Sequence, residues 1–170
     1  MKNSELKVVF AECFIIVRIN SIHNTIIMKN NFIANVSINI AASPAKVWQA
    51  LTDPVLVKKY FFGVDLITDW KKGSPIIYRG VWEGKTFEDK GNVIEIIPEK
   101  LLLCNYWSGF SGLPDEPENY QNVRYELSAQ NDGTKLSITQ ENIPSEESKT
   151  HSEQNWKMVL DGMRKLLEEK

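Results

Sequence analysis

The sequence predicts an α+β domain, in which a curved antiparallel sheet of about six to seven strands packs around one long C-terminal helix. Three observations support this fold class. Apolar residues recur at the helical period near the C-terminus, alternating apolar and polar residues mark a series of strands before it, and no strand–helix–strand repeat typical of a parallel sheet is present. Two short helices are expected directly after the first strand.

The C-terminal helix is the clearest element. No proline interrupts residues 146–170, and Ser145 is a suitable N-cap for a helix over residues 146–169. Its apolar side chains recur at three- and four-residue spacing, at Trp156, Val159, Leu160, Met163, Leu166 and Leu167. An isolated helix of this kind is marginal in water, so we expect this stripe to pack against the sheet.

The remaining elements follow from local signals. Residues 32–40 alternate as a half-buried strand, and Ser43 followed by Pro44 begins a helix. Asp53-Pro54 ends that helix and caps a second one, which closes in the aromatic run at residues 60–62. Further strands are predicted over residues 64–67, 76–83, 86–97, 101–107, 120–129 and 136–141. Residues 108–118 are rich in Gly, Ser, Pro and acidic residues and predict a mobile loop.

Length and charge narrow the function classes. A chain of 170 residues predicts one domain, which we place at residues 30–170 after an N-terminal extension over residues 1–29. The net charge of −2, without a basic run, gives no general electrostatic case for nucleic acid or an anionic membrane as a partner. Cys13 and Cys104 form no disulfide framework, which suits a reducing cytoplasm, and we expect a cytoplasmic monomer.

The N-terminal extension contains an apolar stretch over residues 8–19. It includes Glu12 and Arg18 and is shorter than the roughly 20 residues of a membrane span. No small-residue cleavage site follows it. We therefore expect neither a membrane anchor nor a signal peptide.

Few residues suggest catalysis. The sequence has no zinc-ligand spacing, nucleophile elbow or phosphate-binding loop, so no catalytic residue, metal ligand or cofactor is predicted. His151 is expected to be a solvated helix residue and Cys104 an inert buried thiol. Four carboxylates close in sequence are more typical of charged strand edges than of an acid–base pair: Glu83, Glu88, Asp89 and Glu95.

Several motifs, in this order and spacing, resemble the START-like (SRPBCC, helix-grip) superfamily. Within it, the chain is most similar to the family of the C-terminal domain of the activator of the heat-shock protein 90 ATPase. The motifs are Ser43-Pro44-x-x-Val47-Trp48-x-Ala50-Leu51-Thr52-Asp53-Pro54, Trp70-Lys71-x-Gly73-Ser74, Gly91-x-Val93-x-Glu95-Ile96-x-Pro98-x-x-Leu101, Trp107, Asn131-Asp132-Gly133-Thr134-x-Leu136 and Trp156-x-x-x-Leu160. The resemblance spans residues 32–168. It departs from the family at Tyr60-Phe61-Phe62, where relatives commonly place a tryptophan.

This resemblance implies a cavity between the sheet and the long helix. The candidate lining residues are Trp48, Phe61, Phe62, Trp70, Tyr78, Trp82, Tyr106, Trp107, Tyr125, Trp156, Val159 and Met163. Polar contacts to a ligand would come from Tyr78, Arg79, Asn105 and Arg124. The alternative is that these side chains fill a packed core. Strand alternation puts Arg79 opposite Tyr78, and Arg124 opposite Tyr125, so not all of them can face inward.

Three functions are compatible with the resemblance. The preferred one is binding of a hydrophobic or aromatic small molecule in that cavity. The second is a stress-response role as a co-chaperone that activates heat-shock protein 90. The eukaryotic activator makes much of its chaperone contact through an additional N-terminal domain, and we expect no counterpart of it here. The third is a cyclase or dehydratase of the kind found elsewhere in the superfamily.

Overall fold

The computed structural model describes residues 31–169 except Glu83, so the predicted extension over residues 1–29 lies outside the described residues. The strands are β1 (Phe32–Ile40), β2 (Asp65–Ile67), β3 (Pro75–Trp82), β4 (Lys85–Ile97), β5 (Leu101–Tyr106), β6 (Gln121–Gln130) and β7 (Gly133–Ile143). The helices are α1 (Pro44–Thr52), α2 (Pro54–Tyr60) and α3 (Glu146–Glu168).

The described strands form one seven-stranded sheet in the order β1-β7-β6-β5-β4-β3-β2. Every neighbouring pair is antiparallel. The two short helices follow β1, and the long helix follows β7. The predicted α+β class, with a curved antiparallel sheet and a long C-terminal helix, is therefore confirmed.

The helices begin where the capping residues predict. The Lys46 N–H donates to Ser43 Oγ at 3.4 Å, ahead of Pro44 in the first turn of α1. Asp53 ends α1 and caps α2, because its Oδ1 accepts from the Val55 N–H at 2.8 Å. Ser145 Oγ likewise accepts from the Ser148 N–H at 3.1 Å at the start of α3. Each cap satisfies an N–H that has no partner within its helix.

Helix α3 also runs beside β1, the strand at one edge of the sheet. The backbone N–H of Asn35 donates to Glu153 Oε1 at 3.4 Å, and that of Ala41 donates to Glu168 Oε1 at 2.8 Å. Strand edges with unpaired N–H groups invite pairing with other chains, and these carboxylates occupy two such groups at this edge.

No helix among the described residues is long and apolar enough to cross a membrane.

Strand β4 changes partners along its length. Its first part pairs with β3, its last part pairs with β5, and the register shifts between Val93 and Glu95. Gly91 pairs with Ile76 of β3 shortly before this change, and a Cβ there would stand 1.9 Å from the backbone oxygen of Asn105 on β5. Glycine therefore allows the close approach of the two strands, in agreement with the bend that a glycine within a strand indicates.

Candidate functional site

The sheet and helix α3 separate around the first half of that helix and leave a cavity of about 260 Å³ between them. Its walls come from strands β3 to β7, the residues after α2, the loop after β5 and helix α3. Most of the wall is apolar. The aromatic side chains that line it are Phe61, Phe62, Tyr78, Phe87, Tyr106, Phe110, Tyr125 and Trp156.

These rings hold one another in place. Phe61 and Trp156 stack with nearly parallel planes, their centroids 6.2 Å apart. Tyr125 meets Trp156 edge-on at 5.7 Å, and Tyr78 meets both Phe61 and Tyr106 edge-on, at 6.1 and 6.4 Å. Offset and edge-to-face contacts of this kind favour a fixed arrangement of the rings. The rings of the cavity wall therefore support one another's positions.

A chain of polar side chains ties the helix to the sheet at the cavity. Trp156 Nε1 donates to Gln140 Oε1 at 2.5 Å, and Gln140 Nε2 donates to Gln121 Oε1. Gln140 and Gln121 lie on β7 and β6, so the chain crosses from α3 over two strands. Gln140 is buried, and a buried amide left without partners would be costly. These bonds therefore fix the position of the Trp156 ring.

Asp89 is the one carboxylate on the described cavity wall, and it is 5% exposed. Its Oδ2 accepts from the Tyr106 hydroxyl at 3.0 Å, whereas its Oδ1 is buried and has no hydrogen-bond partner among the described residues. Burial raises the pKa of Asp89 above its usual range, although Ser108, Tyr106 and the Gly109 N–H oppose that shift. Oδ1 thus has no partner at hydrogen-bond distance, although Ser108 and the Gly109 N–H interact with the same carboxylate.

The Cys104 thiol and the Tyr78 and Tyr125 phenols on the wall stay protonated near neutral pH. Burial raises the pKa of the Cys104 thiol to about 12, and its Sγ donates to the Val123 carbonyl oxygen at 3.7 Å. Burial also raises the pKa of Tyr78 and Tyr125 well above their usual range. These groups can contribute hydrogen bonds and apolar surface, but in these surroundings neither the thiol nor the phenols are ready nucleophiles or bases.

The loop after β5 covers part of the cavity. It contains short 3-10 turns at Gly109–Ser111 and Pro117–Asn119. Phe110 lines the cavity and packs on Phe87 with ring centroids 5.5 Å apart. Asp115 pairs with Lys90 and accepts from the Tyr120 hydroxyl at 2.7 Å. The composition predicts a mobile loop, and the structure shows two turns, with contacts to the sheet from Phe110 in the first turn and from Asp115 between the turns.

Seven of the predicted site residues lie on the cavity wall: Phe61, Phe62, Tyr78, Tyr106, Tyr125, Trp156 and Val159. Trp70 and Met163 instead line a smaller void of about 30 Å³, which shares Phe61, Tyr78, Tyr125, Trp156 and Val159 with the main cavity. The side chain of Trp82 lies outside the described part of the chain.

Trp48, Trp107 and Arg124 lie on the walls of neither cavity. Arg124 lies off the wall because neighbouring residues of a strand point to opposite faces of the sheet, and Tyr125 takes the face that lines the cavity. Trp107, just beyond β5, donates from Nε1 to the carbonyl oxygen of Pro114 at 3.1 Å. Trp48 packs at the edge of the core.

The other two polar candidates, Arg79 and Asn105, also lie off both cavity walls. Arg79 pairs with Glu88 at 2.7 Å on the exposed face of β3 and β4. Asn105 Oδ1 accepts from the Asn92 N–H at 2.6 Å. Both side chains are therefore engaged within the sheet rather than at the cavity.

Sequence reasoning missed the polar part of the wall. Asp89 was expected at a charged strand edge, yet in β4 it shares a face with Phe87 and the buried Val93. His151 was expected to be solvated and is half-buried on the cavity wall. The signals were the alternation of β4 and the continuation of the helix stripe by polar residues, Ser148, His151, Ser152 and Asn155. No cluster of His, Cys, Asp or Glu that could hold a metal occurs among the described residues.

Comparisons with known proteins agree with the motif resemblance. The model of the family "Activator of Hsp90 ATPase homolog 1-like protein" matches residues 41–168. The chain is similar to the ChR145 protein of Cytophaga hutchinsonii, with 41% identity over 81% of this chain and 94% of that chain, and a TM-score of 0.71. No curated protein matches the sequence significantly.

Two further solved structures share the fold at lower identity. The CV1439 protein of Chromobacterium violaceum is 21% identical over 81% of this chain and 98% of that chain, with a TM-score of 0.70. The Aha1 dimer of Colwellia psychrerythraea is 23% identical over 81% of this chain and 97% of that chain, with a TM-score of 0.65. These two structures share the fold, while the family model over residues 41–168 and the 41% identity to ChR145 confirm the family predicted from the motifs.

Proposed function

This chain belongs to the activator of Hsp90 ATPase homologue 1-like family, and from that premise we propose that it binds a small apolar or aromatic molecule between its sheet and its C-terminal helix. One observation carries the proposal: the aromatic-walled cavity of about 260 Å³ under the first half of α3. Cavities that bind small molecules are concave, mostly apolar and largely pre-formed, with a few placed polar groups.

The size of the cavity limits the size of its ligand. Typical ligand pockets measure roughly 300–1,000 Å³, so a cavity of about 260 Å³ fits a small molecule of up to about three rings rather than a long lipid. Its flat ring surfaces favour a planar partner, because stacked and edge-on aromatic contacts add to the gain from buried area. Polar groups of Asp89, Gln140 and Asn155 on the wall would set its orientation.

A neutral aromatic dye tests the proposal. N-phenyl-1-naphthylamine fluoresces more strongly in apolar surroundings, and we expect saturable binding with one site per chain. In a backbone amide NMR titration, the largest shifts should cluster around Tyr78, Tyr125 and Trp156. Shifts scattered over the surface, or a dye signal that does not saturate, would contradict the proposal.

A matched pair of helix variants locates the site. Ser152 lies on the cavity wall, and Gln154 lies two residues further along α3 on the exposed face. Ser152→Phe should fill the mouth of the cavity and weaken dye binding by about tenfold or more, because the dye loses buried surface. Gln154→Phe adds the same side chain to the same helix and should leave the affinity unchanged. Equal effects of both variants would place the dye elsewhere.

Activation of heat-shock protein 90 is the second candidate function, because the matching family model carries that activity in its description. It predicts a higher steady-state ATPase rate of a purified chaperone of this type when the protein is added. The Ser152→Phe variant should stimulate to the same extent if activation uses the outer surface alone. An unchanged rate at saturating protein would remove this candidate and leave ligand binding in place.

A further inference from the structure

Building on the proposed cavity, we infer that its ligand carries a cationic N–H donor, such as an ammonium group, which binds the free oxygen of Asp89. The ligand class is then an aromatic or apolar amine rather than a neutral molecule or a carboxylic acid. Three observations support this step: the unused oxygen, the charge of the wall and the rings around it.

The first observation is the unused acceptor. Asp89 is 5% exposed, and its Oδ2 accepts a hydrogen bond from the Tyr106 hydroxyl at 3.0 Å, while Ser108 and the Gly109 N–H also interact with the carboxylate. Oδ1 is buried without a partner, and it is the only side-chain nitrogen or oxygen in this state among the described residues. A buried polar group is normally hydrogen-bonded, and an exception on the wall of a cavity indicates a partner that is supplied from outside.

The second observation is the charge of the wall. Asp89 is the only carboxylate among the described residues that line the cavity, and none of those residues is lysine or arginine. His151 is the one basic side chain on that wall. A buried carboxylate without a fixed cation is costly, and pairing with a cation offsets that cost. A ligand carboxylate would add a second negative charge to the same space.

The third observation is the set of rings around the carboxylate. Tyr106 bonds directly to Asp89, Tyr78 contacts Tyr106, and Phe87 lies two residues before Asp89 on the same face of β4. Ring faces attract cations, and they do so more strongly where water is excluded. The wall therefore offers an ammonium group both a carboxylate oxygen and aromatic surface, while the rest of the cavity accommodates an apolar body.

A matched series of three probes tests the inference. Tryptamine, indole-3-ethanol and indole-3-acetate share one ring system and differ at the end of the side chain, where they carry an ammonium, a hydroxyl and a carboxylate. Their affinities are measured by displacement of N-phenyl-1-naphthylamine and by calorimetry. We expect tryptamine to bind about tenfold or more tightly than the alcohol, because a charged hydrogen bond is stronger than a neutral one. Indole-3-acetate should bind most weakly.

Two variants assign the preference to Asp89. Asp89→Asn should lower the affinity for tryptamine by about tenfold or more and change the affinity for indole-3-ethanol little, since the charge is lost and the shape is kept. Glu95→Gln removes the same charge from the same strand at an exposed position and should leave all three affinities unchanged. Circular dichroism and melting temperatures establish that both variants are folded.

The outcomes separate the inference from the function on which it rests. Dye binding at the cavity with equal affinities for the three probes overturns the inference alone. So does tryptamine binding that Asp89→Asn leaves unaltered. If neither the dye nor any probe binds, the proposed function fails and the inference falls with it. The order of affinities in the unaltered protein is informative even if a variant does not fold.

Discussion

Along residues 159–167, helix α3 buries its apolar stripe in the core, whereas along residues 148–156 the same helix stands over a cavity. The buried half presents Val159, Leu160 and Met163, each at most 4% exposed. The cavity half presents mainly small or polar side chains, such as Ser148, Ser152 and Asn155. The backbone continues as one helix through both halves, so the difference comes from the side chains that face the sheet.

This comparison shows how one interface can serve both stability and binding. Close-packed apolar side chains remove water and stabilise the fold. Short polar side chains cannot fill the same gap, so space remains between helix and sheet. Trp156 lies at the boundary, where it stacks on Phe61 and bonds to Gln140. The predictions below change the packed half, the boundary and the cavity in turn.

The largest loss of stability is expected from a substitution in the packed half of helix α3. Met163→Ala should lower the free energy of unfolding by about 2–5 kcal/mol, because it leaves a cavity in a core that cannot collapse fully. Met163 is 1% exposed, while Met158 on the same helix is 38% exposed. Met158→Ala should therefore change stability by less than about 0.5 kcal/mol. Urea denaturation of both variants measures the difference, and similar losses would show that α3 is not divided in this way.

A substitution of Trp156, at the boundary between the packed half and the cavity half of α3, should lower the free energy of unfolding by a smaller amount. Trp156→Phe keeps a ring beside Phe61 and Tyr125 but removes the N–H that Gln140 Oε1 accepts. A buried acceptor left without a partner costs about 1–3 kcal/mol, and we expect a loss of stability in that range. The double variant Trp156→Phe, Gln140→Leu removes the acceptor as well and should recover part of that loss. No recovery would indicate that packing of the indole, rather than its hydrogen bond, dominates.

The smallest change in stability is expected from a substitution of Asp89 in the cavity, and it should be an increase rather than a loss. Burial raises its pKa in the folded state above that of the unfolded chain, so the folded state binds a proton more readily. Protonation of Asp89 therefore stabilises the folded state at pH values below the pKa of this group in the unfolded chain. This contribution is lost as the pH rises through the pKa of the group in the folded state. At neutral pH, Asp89→Asn should thus stabilise the unliganded protein by about 1 kcal/mol.

The same variant should also flatten the pH dependence of stability between acid and neutral conditions. The Tyr78 phenol and the Cys104 thiol line the same cavity, and burial raises the pKa of both far above that range. Melting temperatures of the two proteins across this range give the test. Parallel curves, or a loss of stability at neutral pH, would contradict the assignment of Asp89 as an unpaired buried carboxylate.

The sequence predicted the elements better than it predicted the site. Ser43, Asp53 and Ser145 cap the helices as expected, because capping depends on neighbouring residues alone. Of the aromatic residues that the family resemblance implied, Phe61, Phe62, Tyr78, Tyr106, Tyr125 and Trp156 lie on the cavity wall. Asp89 and His151 were not expected there, because an ionisable residue on a strand or helix is most often at the surface. Only the packing of the opposing elements places them on the wall.

By itself, the sequence determined the fold class, the order of elements and the faces of the C-terminal helix, since periodicity and capping are properties of short segments. The tertiary structure alone decided that α3 is packed at one end and stands over a cavity at the other. It also decided that one oxygen of Asp89 is buried without a partner. Both features depend on the distance between a helix and a sheet that are far apart in the chain, and no local pattern encodes that distance.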